Sequence, residues 1–138
     1  MKVSIGSDHG GFELKGALVK ALSGAYEMTD RGPADGKSCD YPDYAVAVAK
    51  DVALGNADFG ILICRSGIGM AMAANRFQNV RAAVCTTVEA AKMTRQHNGA
   101  NVLCLGADVV SAADAEAIVK AFLGTAVDPD ARHERRRW

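Results

Sequence analysis

Neither sign of charge is in excess: 16 Lys and Arg stand against 16 Asp and Glu in 138 residues. That absence argues against a dedicated nucleic-acid binder, which usually carries a clear basic surplus, and makes any anionic partner small rather than polymeric. No apolar run reaches membrane-spanning length, and the opening MKVSIGSD enters a strand without a signal-like stretch. The expectation is a cytoplasmic protein with no membrane partner. CxxC spacing is missing from the four cysteines, and the chain is rich enough in core formers to need no disulfide scaffold, so free thiols in a reducing compartment are expected. The three histidines are far apart and form no HxH or HExxH, which favours chemistry with no metal. Neither GxGxxG nor a P-loop lysine-serine pair occurs, and no cofactor is implied.

What is present fits one domain with a real core: 49% of residues are apolar and 23% charged. Residues 1–124 read as the α/β domain and 125–138 as a basic arm belonging to it. Its centre is FGILICRSGIGMAMAANR, Phe59 to Arg76. Phe59, Ile61, Leu62 and Ile63 make a short apolar run of the kind found in a central parallel strand covered on both faces. Cys64 stands at its carboxyl end. Ser66, Gly67, Ile68 and Gly69 follow, then an Ala/Met-rich helix. The glycine pair lets the backbone turn sharply and point its N–H groups at a phosphate, a carboxylate or a developing oxyanion. Such turns are common in α/β domains, and cysteine is among the most buried residue types. Cys39, Cys85 and Cys104 accordingly read as core or loop residues. Cys64 is set apart by its place next to the turn, where neighbouring amides favour a thiolate.

Lys2 to Ser7 reads as the first strand, ending in Asp8, His9, Gly10 and Gly11. Phe12, Leu14, Ala17, Leu18, Ala21 and Leu22 form a helical stripe stopped by Gly24. Tyr26 to Thr29 is a weak second strand. Asp30 to Asp43 reads as a long polar loop, of a length often used for lids or site walls. A helix over Tyr44 to Leu54 closes at Gly55. Val80 to Cys85 is the fourth strand, after which Thr86 and Glu89 have capping-box spacing for a helix to about Gln96. Asn101 to Leu105 is the fifth, and Ser111 with Asp114 opens a last helix ended by Gly124. Strand–helix alternation of this kind implies a parallel sheet with helices on both faces.

In such sheets the ligand crevice lies beyond the carboxyl ends of the strands, where strand order reverses. An order of 2-1-3-4-5 puts that point between strands one and three. Asp8, His9 and Cys64, an acid, an imidazole and a thiol, would meet there. His97 and Asn98 precede the fifth strand and so fall toward the opposite edge. They are either a helix end favoured by the macrodipole or a contribution to a neighbouring subunit's site. Arg132 and Arg136 are four apart and would share a helical face. They are either solvated or an arm whose guanidinium forks grip a phosphate.

In order along the chain, GSDHGGFELK, DYP, ILICRSGIGMAMAANR, RAAVC and RQHNGANVLCLG, followed by the arginine tail, resemble the ribose-5-phosphate isomerase B family, which includes galactose-6-phosphate isomerase subunits. The resemblance implies a three-layer Rossmann-like sandwich with a five-stranded parallel sheet. It also implies a metal-free aldose–ketose isomerase of phosphorylated sugars, belonging to carbohydrate metabolism and the pentose phosphate pathway. The expected assembly is a homodimer with shared sites, with dimers open to pairing as tetramers. By the same resemblance Cys64 is the base that moves a proton between C1 and C2, with Ser66 assisting at the oxygens. Gly67, Ile68, Gly69 and Met70 form the nest for the enediolate. Asp8 and a partner's His97 are linked to ring opening, and Asn98 to a contact near the reacting end. His9, Arg132 and Arg136 match the phosphate grip, and Tyr41 lines the substrate.

Two positions depart from the family pattern. Arg65 follows the cysteine where glycine is common, and Asp108 stands where many members have a phosphate-binding arginine. Arg65 either compensates as a substrate-binding group or narrows the pocket for another sugar. The expected reaction is interconversion of ribose 5-phosphate and ribulose 5-phosphate. The alternatives are isomerisation of another four- to six-carbon sugar phosphate, or a non-catalytic phosphosugar-binding module.

Overall fold

The computed structural model describes residues 1–137; Trp138, the last residue of the expected basic arm, lies outside them. The elements run β1 (Lys2–Ser7), α1 (Phe12–Leu22), β2 (Glu27–Asp30), α2 (Tyr41–Ala53), β3 (Phe59–Cys64), α3 (Ile68–Ala74), β4 (Ala82–Val84), α4 (Val88–Asn98), β5 (Val102–Gly106), α5 (Ala112–Gly124) and α6 (Ala131–Glu134). All strand pairs are parallel. No helix among the described residues is long and apolar enough to cross a membrane.

The alternation of side chains along each strand divides the core in two. Ile61 and Ile63 face α1 and α5 together with Val3, Ile5, Leu103 and Leu105, and Phe122 fills the middle of that layer. Leu62 and Cys64 point the other way, with Val102 and Cys104, onto Val48 and Val52 of α2 and Met70 and Ala74 of α3. The result is a three-layer sandwich. Small residues bring its layers close: a Cβ added at Gly60 would come within 2.7 Å of Val48.

The strand order is β2-β1-β3-β5-β4, which corrects the expected 2-1-3-4-5 at its last two positions. All five residues of β5 are buried, whereas the three of β4 are half-buried or exposed. The more apolar VLCLG therefore takes the inner place and AAV the edge, where incomplete cover is tolerated. Because β1 still lies beside β3, the reversal point is unchanged.

Local signals shift by a few residues. The helix-opening threonine is Thr87, whose hydroxyl accepts from Ala90 N–H at 3.0 Å, in place of Thr86. Ser111 caps α5 as expected, accepting from Asp114 N–H at 3.1 Å. Pro42 sits in the first turn of α2, so that helix starts at Tyr41 and the loop before it ends at Asp40. β4 is confined to Ala82–Val84, and α6 ends at Glu134, so Arg136 lies past the helix that carries Arg132.

Candidate active site

β3 delivers Cys64 to the carboxyl edge of the sheet and the chain turns at once. Gly67 has φ +80°, and a Cβ there would meet the Leu105 carbonyl carbon at 3.0 Å, so both the turn and the neighbouring strand require glycine. Gly106 answers from β5, where a Cβ would fall 2.8 Å from the Ser66 carbonyl. Backbone bonds from Ala107 N–H to Cys64 O (2.8 Å) and from Asp108 N–H to Arg65 O (3.0 Å) weld the two loops.

Within this turn the Cys64 sulfur accepts the Gly67 N–H at 3.1 Å. The thiol is 6% exposed: it belongs to the buried layer with Leu62 and Met70 and meets the glycine bend at its sulfur. Ser66 Oγ accepts from Ile68 N–H at 3.2 Å and is exposed. The first intrahelical bond of α3 runs from Ala71 N–H to Gly67 O, so the amides of Ile68, Gly69 and Met70 precede it and have no acceptor within the helix. Tyr41 lies over the same turn: a Cβ on Gly69 would come 2.7 Å from its ring.

β1 ends beside β3, and Asp8 N–H donates to Ile63 O at 3.1 Å. Its carboxylate caps the following short turn by accepting Gly11 N–H at 3.1 Å. Next to it, His9 Nδ1 lies 3.2 Å from both the N–H and the carbonyl oxygen of Cys39, so the Cys39 backbone can pair with either tautomer of the ring. That contact fastens the far end of the 31–40 loop. The near end is held by Arg31 N–H to Ile5 O (2.8 Å) and Ser7 N–H to Gly32 O (3.1 Å). Lys15 adds paired bonds to Asp30 and one to Pro33 O. Fastened at both ends, the loop stands against His9 at this edge.

Arg65 lies across this mouth. Its Cγ would be 2.7 Å from a Cβ on Gly10, the Asp8 Oδ1 would be 3.3 Å from that same atom, and its Nη1 lies 3.6 Å from Asp108 Oδ2. Both side chains are more than half exposed. Asp8, His9, Tyr41, Cys64, Arg65, Ser66 and the 67–70 turn are thus all drawn to the carboxyl edge around β1 and β3.

His97, Asn98, Arg132 and Arg136 are not. The first two end α4 just before β5 begins, and the paired starts of β3 and β5, Gly60 with Val102, are separated from Cys64 by most of a strand, about 13 Å. The chain cannot bring these groups to its own thiol. Sequence reasoning also missed His133, which is 8% exposed and stacks on His97 with ring centroids 4.3 Å apart. Its only signal was a histidine among tail arginines, which composition cannot separate from a solvated end.

A doubly faced parallel sheet with a thiol, a carboxylate and an amide-lined turn at its reversal point defines a class: enzymes that move a proton on a small anionic substrate. The profile of the Ribose/Galactose Isomerase family matches residues 3–137, and the chain belongs to that family of sugar-phosphate isomerases. It is 43% identical over 136 residues to the ribose-5-phosphate isomerase B of Escherichia coli K12, covering 98% of this chain and 91% of the relative. It is 40% identical over 134 residues to the D-erythrulose-4-phosphate isomerase 2 of Mycolicibacterium smegmatis, covering 94% and 88%. The solved ribose-5-phosphate isomerase B of Clostridium thermocellum superposes with a TM-score of 0.96 at 43% identity, covering 99% of this chain and 93% of that one.

Proposed function

We propose that the chain interconverts ribose 5-phosphate and ribulose 5-phosphate through an enediolate, in the cytoplasm and as a homodimer with shared sites. The Cys64 thiolate takes the C2 proton of the open-chain aldose. The electrons of that C–H bond become the C1–C2 double bond, and the aldehyde oxygen takes up the negative charge. The turn from Gly67 to Met70 stabilises that charge through the amides of Gly69 and Met70, since those of Gly67 and Ile68 donate to Cys64 and Ser66, and the Ser66 hydroxyl assists proton movement between the oxygens. The thiol then returns its proton to C1, and the carbonyl forms at C2. Ring opening precedes this, with Asp8 of one copy and His97 of a second acting on the furanose oxygens and Asn98 of that second copy close by. His9 and the second copy's Arg132 and Arg136 hold the phosphate, and Tyr41 lines the sugar.

The observation that carries this reading is the 3.1 Å bond from Gly67 N–H to the Cys64 sulfur, which sets the base and the oxyanion donors in one turn. A positioned base supplies a factor of about 10² to 10⁴, and one good oxyanion donor about 3 to 4 kcal/mol. The phosphate adds remote binding energy that fixes the reacting carbons.

A second substrate is favoured by a specific feature, the Arg65–Asp108 pair at the mouth. A carboxylate there opposes a phosphate, and the arginine stem occupies space over Gly10, which suits another chain length such as a four-carbon ketose phosphate. Measuring kcat/KM for four-, five- and six-carbon sugar phosphates tests the assignment. The highest value on ribose 5-phosphate upholds it, and a value at least tenfold higher on a four- or six-carbon substrate overturns it.

A further inference from the structure

The tail holds a buried imidazole that the reaction described above does not use. His133 and His97 lie face to face, with 14° between their planes. Arg132 Nη2 is 3.4 Å from His133 Nε2. Arginine can only donate, so this nitrogen accepts and the proton of a neutral His133 ring sits on Nδ1. Burial, with the charges of His97 and Arg132, holds His133 toward the neutral form against the opposing pull of Asp128 and Asp130.

The mount beneath the stack is fastened at several points. Arg137 Nη2 donates to Gln96 O at 3.0 Å and Asp128 O at 2.6 Å. Arg81 donates through Nη1 to Arg137 O at 2.8 Å and through Nε to Asn98 O at 2.7 Å. Gly99 closes α4 at φ +60°, and a Cβ there would stand 3.0 Å from Arg137 Cδ. The end of α4 and the tail therefore move as one piece. His97 itself is half-buried; without the stack its ring would be free to leave the plane in which it now sits.

We infer that His133 is a positioning residue for ring opening: its face holds the His97 imidazole in the orientation from which it exchanges a proton with the furanose of a sugar phosphate bound by a second copy. This rests on the assignment of His97 proposed above. What His133 supplies is a flat surface at stacking distance, not basicity. Positioning of this kind is worth a good deal, since a displacement of about 1 Å can cost about 10²-fold in rate.

Ring opening and proton transfer can be measured separately. Ribulose 5-phosphate cannot close to a furanose because its O5 carries the phosphate, so exchange of its C1 proton with deuterated water reports the proton transfer at Cys64 without ring opening, whereas net conversion of ribose 5-phosphate needs the ring opened. His133→Ala is expected to lower kcat/KM for ribose 5-phosphate about tenfold or more while C1 exchange stays within about twofold. His133→Phe, which keeps a flat face and cannot titrate, is expected to restore most of the loss. His97→Ala should show the same split, larger. Equal losses in both assays, no loss in either, or a folded His133→Phe no better than His133→Ala would overturn the inference. If His97→Ala shows the split and His133→Ala does not, this inference alone fails. If His97→Ala itself shows none, the assignment of His97 fails and the inference falls with it. Circular dichroism on each variant establishes that it is folded.

Discussion

At the carboxyl edge of the sheet the geometry is made by backbone. Gly106 permits a main-chain approach too close for a Cβ, Gly67 turns the chain at φ +80° against Leu105, and main-chain bonds join the β3 and β5 loops. At the other edge it is made by side chains, with His97 stacked on His133 and Arg81 and Arg137 reaching main-chain carbonyls. The difference follows from the task. Charge that develops on a substrate oxygen is best met by donors fixed before the reaction, and amides in a tight turn cannot swing away. Groups presented to another copy must project beyond their own fold, and long or aromatic side chains do that.

If that contrast is right, changes at the backbone edge should act on chemistry and changes at the side-chain edge on substrate handling. Cys64→Ala should have the largest effect, a fall in kcat of about 10² to 10⁴ with thermal stability nearly unchanged. Wild-type turnover in the folded variant would remove the thiol from the mechanism. Next comes Gly67→Ala, which forces a side chain into φ +80° against Leu105. Its kcat should fall about 10² to 10³-fold, and its melting temperature should also drop, since left-handed strain costs about 1 to 2 kcal/mol.

Mixing two variants impaired in net conversion of ribose 5-phosphate tests the division directly. Cys64→Ala lacks the base and His97→Ala lacks the group given to a neighbour, so refolding them together should produce mixed dimers in which one site is intact. With random pairing this restores about a quarter of wild-type sites. No gain over the separate variants would mean that the two edges do not meet across copies.

Much of this is legible in the sequence. The alternation Ile61, Leu62, Ile63, Cys64 places the thiol on one face and at the end of its strand, and the two glycines after Ser66 announce the turn. Strand order was not legible for the last pair, because Val80 to Cys85 and Asn101 to Leu105 both read simply as strands and only cover from the helices decides which takes the edge. Thr86 and Thr87 are adjacent hydroxyls, and spacing alone chose the wrong one. The His97–His133 stack was out of reach for a different reason. It joins residues 36 apart in sequence through the packing of a one-turn helix whose own pattern is too short to show a buried face.

The smallest effect expected concerns the support of the backbone edge. Asp51 of α2 accepts Ser4 Oγ at 2.7 Å and a fork from Arg31, Nε at 2.6 Å and Nη2 at 2.8 Å, and Arg31 begins the loop that ends against His9. Burial opposes ionisation of this carboxyl, but the hydrogen bonds from Arg31 and Ser4 and the charge of Arg31 hold its pKa below the usual carboxylate value. A group so depressed stabilises the fold above its unfolded pKa of about 3.9 and loses that contribution as pH falls through the folded value. Asp51→Ala should therefore cost about 2 kcal/mol at pH 7, since bonds to a charged group are involved but the Arg31 partner is partly solvated. In urea unfolding the gap from wild type should narrow below about pH 4. With the loop loosened, KM should rise more than kcat falls, because the loop holds His9, assigned above to the phosphate, and takes no part in proton transfer. A fall in kcat at unchanged KM would instead make the loop part of the chemical step, and the separation between a rigid reacting turn and its supports would not stand.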